Sequence, residues 1–144
     1  MRRAREERAE RVHTCRPACA AACSDGRVDI WDWKRRRLAR PYAGLHCGER
    51  VEATDVEFSP ESHQNDYAVV GCADGSVHVQ RLDREERPLV LREPGGKWLN
   101  AVAFTHTQET LMVTVSGSPL QYGGGEVVLW NYFTGAVRQR MHAH

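Results

Sequence analysis

The sequence contains no long hydrophobic run. No apolar stretch in its 144 residues approaches the ~18 residues that a transmembrane helix requires. The first residues carry charge but lack the apolar segment of a secretory signal. Opposite charges almost cancel, with a formal net charge of +1, so the whole chain has no overall attraction to nucleic acid or membranes. These absences favour an intracellular protein, cytoplasmic or nuclear, that does not contact a membrane.

Cysteines are few and odd in number. Five cysteines in a chain without an export signal favour reduced thiols over a disulfide framework. Cys15, Cys19 and Cys23 stand four residues apart, which is not the C-x2-C pair typical of zinc sites. On a strand, residues four apart lie roughly 13 Å from each other, too far to share an ion. We therefore expect buried thiols, Cys72 included, with no metal and no cofactor.

Catalytic patterns are also missing. No Ser-His-Asp, Cys-His or paired-carboxylate arrangement stands out along the chain. Gly123, Gly124 and Gly125 precede a predicted strand rather than a helix, so they lack the helix N-terminus that a phosphate-binding loop uses. We predict a hairpin turn at these glycines and no enzymatic activity.

A repeat about 50 residues long is the strongest positive signal in the sequence. The segments SDGRVDIWDW, ADGSVHVQRL and GGGEVVLWNY align without gaps, and one shared position is filled by Trp31, Gln80 and Trp130, which lie 49 and 50 residues apart. Short alternating runs joined by tight turns at this period are typical of the four-stranded blades of a β-propeller. The sequence therefore predicts an all-β chain of about three four-stranded antiparallel blades.

The predicted blades cover residues 15–46, 47–95 and 96–144, and the first is incomplete because it lacks a clear innermost strand. In the second, VEATDVEFSP alternates with a phase slip near Asp55. YAVVGC is a nearly continuous apolar strand, as expected where both faces are covered. Propellers typically close with about four to eight blades, so this chain is not expected to close a ring on its own. We expect a fragment of a longer propeller protein. The alternatives are a chain that self-associates to complete a ring and a chain that is not stable alone.

Residues 1–14 differ in composition from the rest, because they are rich in Arg and Glu and almost without apolar side chains. Arg3 and Glu7 stand at the helical i, i+4 spacing, but no apolar stripe would hold such a helix against a core. The sequence predicts a charged, flexible N-terminal arm. The alternative is an arm that contacts a partner protein or a nucleic acid.

Several short motifs, repeated in the same order, resemble the WD40 repeat family. IWD (30–32) and LWN (129–131) resemble the Trp-Asp ending of the family's third strand, and SDG and ADG resemble the turn before it. VEFSP (56–60) and VAFT (102–105) are similar to the family's innermost strand. The resemblance covers roughly residues 15–144 and implies a propeller that serves as a scaffold for protein–protein interactions.

The resemblance also implies residues that brace each blade. In the family, a turn Asp, a loop His, a Ser or Thr and the Trp often form a hydrogen-bonded set. In this chain the matching residues are Asp25, Trp31, Asp32, His46, Asp74 and Trp130. No blade carries a complete set, and Gln80 and Arg81 stand where Trp-Asp is expected. A buried Trp needs a partner for its indole N–H, so we expect structural roles for these residues.

The strongest local charge is the basic run Lys34, Arg35, Arg36 and Arg37, followed by Arg40. A solvated hairpin tip is the simpler interpretation. The other is a contact with an acidic protein, RNA or DNA, because clustered cations attract polyanions. We therefore expect a non-enzymatic WD40-like scaffold within a larger complex. A ribonucleoprotein or chromatin factor that uses the Arg-rich arm and residues 34–40 is the alternative.

Overall fold

A computed structural model of the chain describes residues 12–13, 18–32, 34–38, 45–60, 67–82, 86–92, 97–106, 110–117 and 125–143. Short alternating runs bounded by turns form twelve strands in this part of the chain. They are β1 (Val12–His13), β2 (Ala18–Ala22), β3 (Val28–Asp32), β4 (Arg37–Leu38), β5 (Ala53–Phe58), β6 (Tyr67–Cys72), β7 (Ser76–Arg81), β8 (Leu89–Arg92), β9 (Leu99–Phe104), β10 (Leu111–Ser116), β11 (Gly125–Asn131) and β12 (Val137–Ala143). Within these residues no helix has the length and apolarity needed to cross a membrane.

The strands form three four-stranded antiparallel sheets that follow one another along the chain. Sheet 1 contains β1 to β4, sheet 2 contains β5 to β8 and sheet 3 contains β9 to β12, always with sequence neighbours side by side. The predicted all-β architecture of three four-stranded units is confirmed. Since β5 packs on β2 and β9 packs across β5 and β6, the sheets are stacked in chain order. The described strands leave this stack open rather than closed into a ring.

Sheet 1 has the shortest outer strands, because β1 and β4 contain two residues each. β1 pairs Val12 with Ala21 and His13 with Ala20, so the innermost strand that the sequence did not reveal exists in a minimal form. Pairing uses backbone groups, which every non-proline residue carries, so it does not require an apolar pattern. Sheet 1 thus begins inside the range assigned to the arm. Residues 1–11 and 14 of that range lie outside the described residues.

Two apolar cores fill the spaces between the sheets, and β6 contributes to both. Successive side chains of a strand point to opposite faces. Accordingly, Ala68, Val70 and Cys72 belong to the core shared with sheet 1, whereas Tyr67 and Val69 belong to the core shared with sheet 3. The prediction that this strand is covered on both faces is confirmed. We call the face of a sheet that packs on the next sheet in the chain its forward face, and the opposite one its backward face.

Asp-Gly turns connect the second and third strands of sheets 1 and 2. Gly26 and Gly75 adopt φ values of +88° and +85°, a region that residues other than glycine rarely enter. A Cβ atom at Gly26 would also collide with the carbonyl oxygen of Val51. The turn of sheet 1 is therefore packed directly against the chain that enters sheet 2.

A β-bulge interrupts the pairing of β5 with β6. The register shifts between Ala53 and Asp55, at the position where the sequence pattern slips. A bulge inserts an extra residue and re-aims the side chains around it. Here Thr54 and Asp55 are both buried, and the carboxylate of Asp55 is turned towards sheet 3, as described below.

A disulfide joins Cys47 to Cys72, with 5.8 Å between their Cα atoms. The expectation of reduced thiols is therefore wrong for this pair. The two residues are 25 positions apart in sequence and meet because the Cys47 amide donates to the Gly26 carbonyl at 2.8 Å, which holds this segment beside the end of β6. Cys19 and Cys23 remain thiols, with Cys23 buried, and Cys15 lies outside the described residues.

Candidate functional site

A polar network surrounds the turn between β6 and β7. The Asp74 carboxylate accepts hydrogen bonds at Oδ1 from the Ser76 amide (2.9 Å) and the Ser76 hydroxyl (2.6 Å). Its Oδ2 atom lies 3.2 Å from a guanidinium nitrogen of Arg92. On the strand that follows, Nε2 of His78 lies 3.3 Å from the Ser76 hydroxyl oxygen. A carboxylate, a hydroxyl and an imidazole group are thus brought together because Asp74, Ser76 and His78 are every second residue along the chain.

The environment of this network shifts both titrating groups. Burial alone would raise the pKa of the Asp74 carboxyl, but the Ser76 hydroxyl, the Ser76 amide and Arg92 together hold it below its ordinary value. Burial lowers the pKa of the His78 imidazole, and the charges of Arg92 and His46 add to that lowering, while Asp74 opposes it. Near neutral pH the network therefore contains a carboxylate and a neutral imidazole.

The network braces the turn, and its order differs from that of a nucleophilic triad. In such a triad the imidazole lies between hydroxyl and carboxylate and takes the hydroxyl proton. Here the Ser76 hydroxyl donates directly to Asp74, and Ser76 is fully buried. His46, the expected loop histidine, pairs with Arg27 beside the turn of sheet 1 and accepts a hydrogen bond at Nδ1 from the Gly48 amide.

The two tryptophans of the repeat occupy different environments. Trp130 is 4% exposed and its indole N–H donates to the Thr114 hydroxyl at 2.9 Å. Trp31, at the matching position of sheet 1, is 40% exposed. Both side chains lie on the backward face of their sheet, since they alternate with forward-facing residues. Trp130 packs on sheet 2, whereas no described sheet covers the backward face of sheet 1.

Residues that follow the tryptophan position fix the next turn. Asp32 accepts the Arg35 amide at Oδ1 (3.0 Å), and Asn131 accepts the amides of Phe133 and Thr134 (3.0 and 3.1 Å). Sheet 2 differs, because there the side-chain amide of the buried Gln80 donates to the backbone carbonyl oxygens of Arg81 and Glu86. Asp25 acts likewise one turn earlier, where it accepts the Arg27 amide at 3.1 Å.

Two carboxylates of β5 connect sheet 2 to sheet 3. Asp55 Oδ2 accepts the Val102 amide at 3.0 Å, and Glu57 Oε2 accepts the Phe104 amide at 2.9 Å. Asp55 is fully buried. These contacts satisfy amide groups of β9 on the side where that innermost strand has no neighbour in its own sheet. The sequence analysis did not predict this role. The available signal was an acidic residue at a position where the alternation of the strand would place a buried side chain.

The predicted partner-binding run forms the turn between β3 and β4. Lys34, Arg35, Arg36 and Arg37 are all exposed, and we call these four residues the basic hairpin. Arg36 adopts a positive φ of 52°, which folds the turn tightly. Asp32 pairs with Arg35 at 3.6 Å, while Arg36 and Arg37 direct their charge to solvent. Arg40, the fifth cation of the prediction, lies outside the described residues.

An open cleft of about 150 Å³ lies between sheets 2 and 3. Tyr67 and Tyr132 form its aromatic base, with ring centroids 5.3 Å apart, and the half-exposed Phe133 packs edge-on against Tyr67. Arg81 and Arg87 add cations to the wall. Elsewhere in the described chain, no group of three His, Cys, Asp or Glu side chains is close enough to hold a metal ion. Gly125 begins β11, and the other two glycines of the predicted turn lie outside the described residues.

Comparison with known proteins supports the fold. No family model and no curated protein sequence matches the chain. A chain in the crystal structure of the mitotic checkpoint complex superposes with a TM-score of 0.72 at 16% identity, covering 92% of this chain and 37% of that chain. The computationally designed Ika8 protein matches with a TM-score of 0.68 at 20% identity and covers 92% of this chain.

The computationally designed Ika4 protein is similar too, with a TM-score of 0.68, 21% identity and coverage of 92% of this chain and 71% of that chain. By contrast, the protein spans 36% of the length of Ika8 and 37% of the checkpoint chain. At these identities the likeness concerns the fold alone. Together with the three stacked four-stranded sheets, it supports a propeller-like fold.

Proposed function

We propose that this protein is a divergent WD40-like scaffold, non-enzymatic, that binds an acidic protein surface through its basic hairpin. The WD40 part of the proposal is supported by the repeated motifs and by the turn aspartates. Asp25 and Asp74 each accept the amide two residues later, and each is followed by a glycine with positive φ. The polar groups with catalytic potential, Ser76 and His78, are buried and occupied in bracing the turn.

The observation that carries the proposal is the cluster of four consecutive exposed cations at one turn. Their charge is held on a short hairpin that Asp32 closes by accepting the Arg35 amide, so the cluster is positioned rather than carried by a long loop. A guanidinium group offers a planar fork of donors that suits carboxylates. Opposite charges at the rim of an interface accelerate association and select the partner.

Binding to an acidic probe peptide tests this function. A fluorescein-labelled peptide of alternating Glu and Ala would be titrated with the full chain by fluorescence anisotropy at low and physiological salt. We expect binding to weaken at least about tenfold in the variant Arg36→Ala/Arg37→Ala, because the modest contributions of the two lost ion pairs with the peptide add together. Arg138→Ala, which removes an exposed cation from β12, is the matched control and should leave binding unchanged.

A labelled single-stranded RNA in the same titration separates the two candidate functions. If RNA binds more tightly than the peptide, with a steep linear fall of log K against log salt, the nucleic-acid function replaces the scaffold function. If the double variant binds the peptide as well as the unmodified chain, the basic hairpin is not the binding surface and the proposal fails.

A further inference from the structure

The forward face of sheet 3 has the composition of a buried face, but none of the described sheets lies upon it. Strand registers align Val127 and Leu129 with Val77 and Val79 of sheet 2, and with Val28 and Ile30 of sheet 1. The four residues of sheets 1 and 2 are buried in the inter-sheet cores. Val127 and Leu129 are only partly buried.

The same contrast extends across the neighbouring strands of sheet 3. Val113 and Val115 of β10, which pair with Leu129 and Val127, are also partly buried. On β12, Met141 occupies the register position of Leu91, yet Met141 is 45% exposed and Leu91 only 7%. Apart from Gln139, which pairs with Leu129 on β12, this forward face is therefore an apolar surface whose counterparts in the same chain are docking surfaces for an innermost strand.

The backward face of sheet 1 is the complementary uncovered surface. It presents Cys19, Ala21, Asp29 and Trp31, which correspond by register to buried residues of sheets 2 and 3. Trp31 holds the position of Trp130, which is buried against sheet 2. Asp29 holds the position of His78, so a buried polar side chain has a precedent there, and Arg27 lies 3.3 Å from its carboxylate.

We propose that a second copy of this chain covers both faces, so that two copies form a head-to-tail ring of six sheets. Each joint would place the forward face of sheet 3 of one copy on the backward face of sheet 1 of the other. The chain itself supplies the complement, because each of its two inter-sheet joints pairs a forward with a backward face, and its described sheets leave one face of each kind uncovered. Two copies give a sheet count within the roughly four to eight at which propellers close.

Each joint pairs unlike faces, and a two-fold rotation that relates the two copies closes the ring. It extends the two inter-sheet interfaces already present in the chain rather than adding a new kind of contact. The inference does not depend on the basic hairpin or on the proposed function. It concerns Trp31 on the sheet face, whereas the proposed partner surface begins at the turn after it.

The mass of the unmodified chain, measured by light scattering during size-exclusion chromatography at micromolar concentration, is the first test. We expect twice the chain mass of 16.3 kDa. The variant Val127→Lys/Leu129→Lys places two charges on the forward face and should raise the dissociation constant by at least about 100-fold. Val137→Lys is the matched control, since it changes an exposed valine of β12 that pairs with Trp130 instead of Leu129.

Mixing two defective chains identifies the head-to-tail arrangement. Trp31→Glu damages the backward face, and Arg36→Glu is its control because it changes charge at the hairpin tip alone. Alone, Trp31→Glu and Val127→Lys/Leu129→Lys should each be monomeric, because both joints of either homodimer are damaged. Their mixture should form heterodimers, because one joint then contains two intact faces. This rescue also shows that both variants are folded.

Three outcomes would overturn the inference. A monomer at all accessible concentrations would mean that the faces are covered by something else, such as further sheets of a longer chain. Open oligomers larger than a dimer would exclude the closed ring. A dimer that Trp31→Glu leaves intact would pair forward faces with each other, and mixing would then restore nothing. Independent loss of acidic-peptide binding would leave the inference untouched.

Discussion

Sheet 2 and its neighbours have similar strands but different surroundings. Val77 and Val79 are buried under sheet 3, whereas Val127 and Leu129 at the same positions of sheet 3 are only partly covered. On the opposite face, Trp130 is buried and Trp31 is exposed. The difference shows that burial of a repeat residue depends on which sheet lies beside it as well as on its own strand. The same side chain can therefore contribute to stability in one sheet and remain available for association in another.

The largest effect is expected where this comparison is sharpest, at the two tryptophans. Trp130→Ala removes a buried ring and its bond to Thr114, and should lower the free energy of unfolding by about 3–5 kcal/mol. Trp31→Ala should change it by less than about 0.5 kcal/mol, as for other surface sites. Urea denaturation, at concentrations where the chain is monomeric, measures both. Equal losses would mean that the two environments do not differ.

The disulfide makes the joint between sheets 1 and 2 different from the joint between sheets 2 and 3. Reduction of Cys47–Cys72 opens a covalent loop of about 25 residues, which should reduce the free energy of unfolding by about 3 kcal/mol. Urea denaturation with and without a phosphine reductant measures this. In the control variant Cys47→Ser/Cys72→Ser, reductant should have no effect. A reductant effect in that control would point to Cys19 or Cys23 instead.

The carboxylates of β5 give a third contrast, because sheet 3 has alanines at the matching positions. Asp55→Ala leaves the Val102 amide without its acceptor and should cost about 2 kcal/mol, while Asp55→Asn keeps an acceptor and should cost less. Ala101→Asp, which introduces the acid into sheet 3, should be nearly neutral in the monomer. Chemical denaturation measures the free energy of unfolding of the three variants. An equal cost for Asp55→Ala and Ala101→Asp would contradict the role of Asp55 as the acceptor of the Val102 amide.

The smallest effect concerns pH and the network of sheet 2. The folded-state pKa of His78 is depressed, so the unfolded chain binds a proton at a higher pH than the folded chain does. Stability should therefore fall as pH decreases through the unfolded value of about 6.5 and level off below the folded pKa. His78→Gln should flatten this slope in the range that begins near the unfolded value of about 6.5 and extends below it, as followed by thermal unfolding. An unchanged slope would assign it to another histidine.

Asp74 contributes in a lower and separate window. Its pKa is lowered by the Ser76 hydrogen bonds and Arg92 against the opposing effect of burial, so its stabilisation is present above the unfolded pKa near 3.8. That stabilisation is lost as pH falls towards the folded value. The two windows allow His78 and Asp74 to be distinguished in one titration.

The sheets were predictable because their signals are local. Alternation and the Asp-Gly turns lie within single repeats, and the spacing of Trp31, Gln80 and Trp130 sets the period. The phase slip near Asp55 coincides with the bulge, although the sequence did not predict a bulge. The contacts that join the sheets were not predictable. Asp55 reaches an amide 47 residues away, and Cys47 reaches Cys72 across the joint of sheets 1 and 2. One repeat does not specify which face of another it will meet.

In the candidate site too, local features could be predicted from the sequence, whereas features that depend on contacts between sheets could not. The exposure of the basic hairpin followed from its charge, because four adjacent cations are costly to bury. The exposure of Trp31 could not be predicted, since the family resemblance implies a buried Trp. Only the stacking of the sheets shows that no described sheet covers it. Ser76 and His78 carry no motif in the sequence, and they were found through their distances to Asp74.

The Asp55 and Glu57 carboxylates hold sheets 2 and 3 together with directional bonds, whereas Ala101 and Ala103 at the matching positions of sheet 3 offer no carboxylate to the next joint. A joint without such carboxylates can open and re-form without breaking a hydrogen bond of this kind. In a ring of two copies the three sheets of one chain would thus move as a unit, and partners would be exchanged between rings over time.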